Sequence, residues 1–387
     1  DWLASLVGEH VGNPILASLL GDGILGGVGA VLTFVPQILL MYLLLALLDA
    51  VGYMSRAAFL MDKVMSRAGL EGRAFVAMLS SFACAIPGIM ATRTIPSAKD
   101  RIATMLSAPL ATCSARLPVY VLLVGILVPA GSSLGPVSVR GLVLFGMYLL
   151  GALSAMLAAR VVKKITDRSG TLLPFYMEMP PYRIPTPRSV GMAMWEPTKA
   201  FLRKAGTIIM GATIVIWALT TFPLRSDAEM TAAGVDPSDE VAATAYNMEH
   251  SAAAKVGKAI EPVFAPQGFD WRVNISLIGS MAAREVAVST LGQVASASDP
   301  EDDVSVSESV QKWTYTDGPH QGEKVFTPDT TIAMLIFFAF ALQCVATIGI
   351  LKRESGGWKW PAIAFGYMFV LAWVGSSLAA IITRVVM

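Results

Sequence analysis

The feature that most constrains this chain is a series of apolar stretches as long as a bilayer is thick. A helix needs roughly 20 residues to cross a hydrocarbon core of about 30 Å. Five stretches meet that length, near 30–50, 102–130, 141–162, 204–222 and 361–384, and a sixth, 331–351, is equally apolar. Only 15% of the residues are charged, where a soluble domain carries about a quarter. A cytosolic globule and a disordered chain are both excluded. The net charge of +1 excludes a nucleic-acid partner held by bulk positive charge. Backbone in lipid must satisfy its own polar groups, so spans of this kind are helical. The expected fold is an all-α polytopic membrane protein.

Two further segments, 75–91 and 273–295, are shorter or are broken by Pro87 or by the pair Arg284–Glu285. They read as discontinuous or re-entrant helices. Charge gives the orientation, because Lys and Arg favour the cytoplasmic side. Segments 51–74, 92–101 and 163–204 are basic, the last with eight Lys or Arg against three acids, and so is the turn holding Lys352, Arg353 and Lys359. The stretches 223–272 and 296–330 each carry eight acids, against four and two bases, and read as external. With these sides assigned, 30–50, 75–91 and 102–130 form a three-part unit, and 204–222, 273–295 and 331–351 form its inverted copy. Transporters build midplane sites from discontinuous helices in this way.

The expected organisation is an interfacial segment at 1–29, a first gate unit with its following span at 30–162 and a basic cytoplasmic loop at 163–203. A second gate unit with two acidic external loops at 204–351 and a C-terminal span at 352–387 complete it. No Met opens the chain and no signal peptide precedes Asp1, which reads as a fragment or a processed product.

Polar residues inside apolar segments are costly and default to function. Glu285 and Arg284 interrupt the second broken helix; one would face the pathway and the other an internal partner, the alternative being a structural ion pair. Asp49 closes the first strong span, as a pathway group or as a boundary carboxylate near Arg56. Cys84 lies three residues before Pro87, which removes a backbone hydrogen bond and opens the helix. Cys113 precedes Ser114, Arg116 and Pro118, and Cys344 sits in the last part of the second unit. The repeat places Cys84 and Glu285 in the broken helices and Cys113 and Cys344 in the third elements, so four donors would converge. Thiolates suit soft divalent ions and a carboxylate adds neutralising charge; the alternative for each cysteine is packing. Of 20 methionines, only Met90 and Met281, inside the broken helices, stand as candidate thioether donors.

Enzyme signatures fail. The three histidines are isolated, no HExxH or CxxC occurs, and no P-loop is present. A GxSxG match at Gly131–Gly135 lies in a short turn rather than between a strand and a helix.

The runs GYMSRAAFLMD (52–62), GLEGRAFVAMLSSFACAIPGIMATRTI (69–95) and DRIATMLSAPLATCSARLPVYVLLVG (100–125) resemble the membrane region of the ferrous iron transport protein B family (FeoB). MEMPPYRIP (177–185), FLRKAGTII (201–209), IEPVFAPQGFDW (260–271), REVAVSTLG (284–292) and CVATIGILKRESGGWKW (344–360) are similar to its later blocks. The resemblance implies a multi-pass bacterial inner-membrane Fe²⁺ importer. Its first gate would map to Cys84 through Arg93 and to Cys113 through Pro118, its second to Arg284, Glu285 and the Cys344 block. It implies no cofactor held by this chain, GTP acting only through an N-terminal GTP-binding domain outside it, and small cytoplasmic accessory proteins as partners; self-association stays open. Three departures stand out. Asp49-Ala50-Val51-Gly52-Tyr53 replaces the family's Glu-Asp-Ser-Gly-Tyr, Ala85 replaces an Asn after the first gate Cys, and Gln343 replaces the Pro before the last Cys.

Rival readings are a nucleoside or small-solute carrier, which predicts aromatic and amide groups along the path, and a non-transporting membrane scaffold, which would tolerate changes at Cys84, Cys113 and Glu285. A membrane enzyme is the weakest.

Overall fold

The computed structural model describes residues 14–67, 69–129, 131–166, 182, 185–223, 227–232, 246–281, 284, 286–294, 303–315 and 321–386. Its described part is all-α apart from a hairpin pairing Ser133–Leu134 with Val137–Ser138. The GxSxG match falls in that hairpin, with Gly131 and Gly135 at positive φ. The glycines serve a turn.

Residues 14–25 form a short α-helix followed by a π-helical turn leading into α1 (Gly26–Val51). At Gly52 (φ 83°) the chain bends by 84° into α2 (Tyr53–Arg67). Glycine carries this bend because a left-handed residue with a Cβ is strained. The broken hairpin α3 (Arg73–Ala83) and α4 (Ala85–Ala91) follows, then α5 (Ala98–Ser107), α6 (Leu117–Leu127) and α7 (Val139–Thr166). The second half runs α8 (Pro187–Thr221), α9 (Ala252–Phe264), α10 (Trp271–Ser280), α11 (Val286–Val294), α12 (Pro328–Phe340), α13 (Val345–Ser355) and α14 (Lys359–Val386).

By length and composition, Ala98–Leu127, Val139–Thr166, Pro328–Ser355 and Lys359–Val386 can each cross a membrane among the described residues, and the bent pair α1–α2 makes a fifth. The expected span at 204–222 lies within α8, which extends upstream to Pro187 at its first turn.

The break expected at 75–91 is present at Cys84, and in 273–295 one helix ends at Ser280 and the next begins at Val286, with residues 282, 283 and 285 between them outside the described residues. Two expected plain spans are corrected. Segment 102–130 leaves the α-helix at Ser107, passes through short 3₁₀ turns around an extended Ala111–Cys113, and resumes at Leu117. Segment 331–351 opens at Ala341–Cys344. The first of these has local causes: Pro109 and Pro118 cannot donate to the carbonyls of Met105 and Ser114. The second has neither Pro nor Gly at its opening, residues 341–344, and its cause is tertiary.

Helix α12 packs most closely on α14, α1 on α8, α9 on α10 and α5 on α7. One apolar cluster joins α6, α10, α11, α12 and α14, and a second joins α4, α5, α13 and α14, so the four breaks lie between two cores. Gly151 of α7 lets the 111–113 segment approach: a Cβ there would meet the Thr112 backbone nitrogen at 2.9 Å. Thr112 in turn donates its hydroxyl to the Met147 carbonyl, 3.3 Å away.

Candidate functional site

The three cysteines share one local geometry. Each is the last extended residue before a helix restarts: Cys84 before α4, Cys113 before the 114–116 turn, Cys344 before α13. None of the three sulfurs caps its helix, and none is in a disulfide. All three are half-buried.

Opening a helix strands carbonyls that ordinarily accept from four residues ahead. In the first unit Pro87, in the first turn of α4, has no N–H for the Ala83 carbonyl, and the Ser114 hydroxyl donates to it instead, at 3.0 Å. Ser114 thus ties the two breaks of the first unit together. The expected opening at Pro87 appears three residues upstream, because a proline removes the bond to the residue four before it.

Two buried arginines fill the centre. Arg116 is fully buried; Nη1 donates to the carbonyls of Leu110 (3.2 Å) and Ala111 (3.3 Å), and Nη2 to those of Pro109 (3.2 Å) and Ala341 (3.5 Å). Arg284 is 4% exposed; Nε donates to the Gln343 carbonyl at 3.2 Å and Nη2 to the Ala341 carbonyl at 3.3 Å. Its Nη1 lies 3.3 Å from Cys113 Sγ. Ala341 therefore accepts from both guanidiniums. The Val345 amide, at the start of α13, donates to the Met281 carbonyl at 3.2 Å. These bonds hold residues 341–344 open: two arginines occupy acceptors that a continuous helix would keep for itself. Neither guanidinium is ion-paired to a carboxylate among the described residues. The negative ends of broken helices stand in for one.

The other sequence candidates fall as follows. Glu285 lies outside the described residues. Asp49 is exposed in the last turn of α1, at the bend. Met90 packs against the core shared by α4 and α13. Met281 lies in the second unit's break, and Pro118 stands in the first turn of α6. Arg93 points away from the centre and pairs with Glu354, its Nε 2.8 Å from Oε2. Among the described residues, no group of three or more His, Cys, Asp or Glu is arranged to hold a metal ion. The structure thus brings together Cys113, Arg116, Arg284 and Ser114 with backbone carbonyls, not a thiol cage.

Residues passed over in the sequence include Glu354, which also receives Arg101 Nη2 at 3.1 Å, and the buried pair of Lys163 with Asp100. A lone acid in the basic run KRES, and a lysine at the end of a span, were the available signals. The backbone acceptors Ala341 and Gln343 had none.

The family described as Gate: Nucleoside recognition matches residues 31–127 and 202–358, and one described as Ferrous iron transport protein B C terminus matches 144–196. An Fe(2+) transport protein A/Fe(2+) transporter FeoB fusion protein of Porphyromonas gingivalis is 41% identical over 394 residues, covering 97% of this chain and 46% of that protein. The Fe(2+) transporter FeoB of Leptospira interrogans is 40% identical over 380 residues (96% and 53%), and that of Helicobacter pylori 35% over 403 (99% and 60%). The chain spans about half the length of the curated relatives it matches. No solved structure matches it.

Proposed function

The chain belongs to the Gate family, in the form that carries the ferrous iron transport protein B C-terminal segment, and we propose from that premise that it is the Fe²⁺-conducting part of a multi-pass bacterial inner-membrane importer. The observation that carries this reading is the match of nearly the whole chain to proteins named Fe(2+) transporter FeoB. Residues 30–162 hold the first gate unit with its following span, residues 204–351 hold the second unit, and the ion passes between their broken helices. The chain acts as a permease and not as an enzyme. A GTP-binding domain and small cytoplasmic proteins bias its open and closed states, to the extent that each binds one state better.

The site's chemistry suits a cation in transit. An acidic external surface raises the local cation concentration. Within the membrane, helix-end carbonyls and Ser114 replace water, and Cys113, Cys84 and Cys344 supply softer sulfur ligands. Glu285 adds charge. A site built this way binds weakly enough to release its ion, which conduction requires. Arg284 has a definite part: its Nη1 stands 3.3 Å from Cys113 Sγ, where an incoming cation would sit. Fe²⁺ must displace that nitrogen, and Arg284 stays tethered by the carbonyls of Gln343 and Ala341. The resident cation keeps the site shut until another takes its place.

The test is anaerobic Fe²⁺ uptake into liposomes bearing the chain, with and without a GTP-binding domain fused ahead of it. A triple Cys84/Cys113/Cys344→Ser variant of equal folding should abolish saturable uptake. Equal flux in both would remove sulfur from the path and leave carbonyls and Glu285.

A further inference from the structure

Helices α9, α10, α12 and α14, with residues 341–343, line a cavity of about 280 Å³. Its rim is formed by Val263, Ile278, Phe365 and Phe369, all exposed apolar side chains on the outer surface. Among its lining residues are two buried amides. Gln343 is 2% exposed, and neither Oε1 nor Nε2 has a hydrogen-bond partner. Asn274 is fully buried; Nδ2 donates to the Gly257 carbonyl at 3.2 Å, while Oδ1 has no partner.

Buried amides without partners are unfavourable, and native structures rarely keep them. A lipid tail would fill the apolar volume and leave the amides unpaired. A water molecule would satisfy the amides and leave most of the volume empty. A molecule with an apolar body and one hydrogen-bonding edge does both. A cavity of about 150 Å³ holds one benzene ring, so this one takes roughly two fused rings. Phe264, Phe337 and Phe369 meet edge to face around it, with ring centroids 5.6 to 6.4 Å apart, an arrangement that favours a flat aromatic guest. An ion would be costly in so apolar a lining.

We propose that this cavity is a binding site for a small, uncharged, two-ring aromatic amphiphile that enters through the apolar rim and pairs a donor and an acceptor with the Gln343 amide and Asn274 Oδ1. Its occupant would also touch Ala341–Gln343, the segment whose carbonyls hold both buried arginines. The site is independent of the iron reading, because its test reads binding alone.

The probe is 2-naphthamide, which has two fused rings with an N–H donor and a carbonyl acceptor, and naphthalene is its headless control. Equilibrium dialysis against phosphatidylcholine nanodiscs, empty or carrying the chain, should show one saturable 2-naphthamide site per chain. Ile278→Trp fills the cavity from its exposed rim, and Gln343→Leu keeps volume while removing the amide. Each should weaken 2-naphthamide by about tenfold or more, the equivalent of one lost buried hydrogen bond or a blocked pocket. Naphthalene should be weakened only by Ile278→Trp. Uptake equal to that of empty discs, or saturable 2-naphthamide binding that survives either substitution, overturns the proposal.

Discussion

Two groups of arginines, one buried among the opened helices and one at the ends of α4 and α13, solve the same problem differently. At the ends, Arg93, Arg101 and Arg353 gather round one carboxylate, Glu354, whose side chain is 3% exposed while the three arginines are 31% to 52% exposed. Arg93 sits in the short 3₁₀ turn after α4, Arg101 in α5 and Arg353 in α13, and the bonds to Glu354 tie the first unit to the end of α13. At the centre, Arg116 and Arg284 are capped by neutral carbonyls, and those carbonyls are free only because two helices are open, after Ser107 and at Ala341–Cys344. A charge that can see water needs only a counter-ion. A charge kept from water needs several acceptors, and in a helical bundle the backbone supplies them only where a helix breaks. Arginine and break are therefore one device: the break provides acceptors, and the guanidinium keeps the break from closing.

The comparison can be broken most decisively at Arg116. Arg116→Leu takes the guanidinium from the carbonyls of Pro109, Leu110 and Ala111 and leaves Ala341 to Arg284 alone, and should lower stability by about 3–5 kcal/mol, the range for removing one partner from a buried charged network. Arg116→Lys should recover part of it, since an ammonium cannot span the same acceptors. Denaturant titration in mild detergent reads both, and a loss under about 1 kcal/mol for the leucine variant would refute the carbonyl-cap account.

Gly151→Ala probes the same centre from outside. A Cβ at 2.9 Å from the Thr112 nitrogen pushes the opened segment off α7, at about 1–3 kcal/mol. The same titration tests it, and an unchanged midpoint would mean that the 111–113 segment has room to move.

Arg284→Gln should act on access more than on stability. Removing Nη1 from Cys113 Sγ should raise the rate at which a methanethiosulfonate reagent labels Cys113 by roughly tenfold, while Arg93→Gln leaves labelling unchanged. Equal labelling in wild type and Arg284→Gln would break the placeholder role.

Glu354→Gln should cost only about 0–1 kcal/mol, because its arginine partners are partly solvated. The diagnostic is salt: raising ionic strength should shift the wild-type midpoint slightly and the variant's hardly at all. A salt response at Arg116 as large as at Glu354 would erase the distinction between centre and ends.

The smallest effect concerns pH at the start of α10. Asp270 caps that helix, accepting from the Val273 amide at 3.0 Å, and burial pushes its carboxyl above the usual range despite Arg272 nearby. The folded state then holds the proton more tightly than the unfolded chain. Asp270's contribution is full below the ordinary carboxylate value and is lost as pH rises through the folded one. Asp270→Asn keeps a competent cap and should flatten that slope in a pH series of unfolding midpoints. A slope that persists in the variant belongs to another group.

Much of this architecture is legible in the residues. Apolar length marks the spans, Pro87 marks the first opened helix, and the Arg284–Glu285 pair marks the second. Pro109 and Pro118 mark a third break that apolar length conceals, since they lie inside a stretch long enough to be a span. The fourth, at Ala341–Cys344, has no local mark. Gln343 and Leu342 are compatible with a helix, and bonds to Arg116, Arg284 and the Met281 carbonyl, far away in sequence, hold the segment extended. Asn274 and Gln343 likewise read as isolated amides until the fold sets them along one cavity.

The amino-acid sequence by itself determined that the chain is a helical membrane protein, where most of its helices lie, and which family it belongs to. Hydropathy, proline and motif act over a few residues or one span, and survive without knowledge of contacts. Only the tertiary structure decided that the cysteines sit at restarting helices, that Arg284 stands against Cys113, and that Arg93 pairs with Glu354. Those outcomes depend on which freed carbonyl meets which guanidinium, a long-range pairing with no counterpart in local sequence.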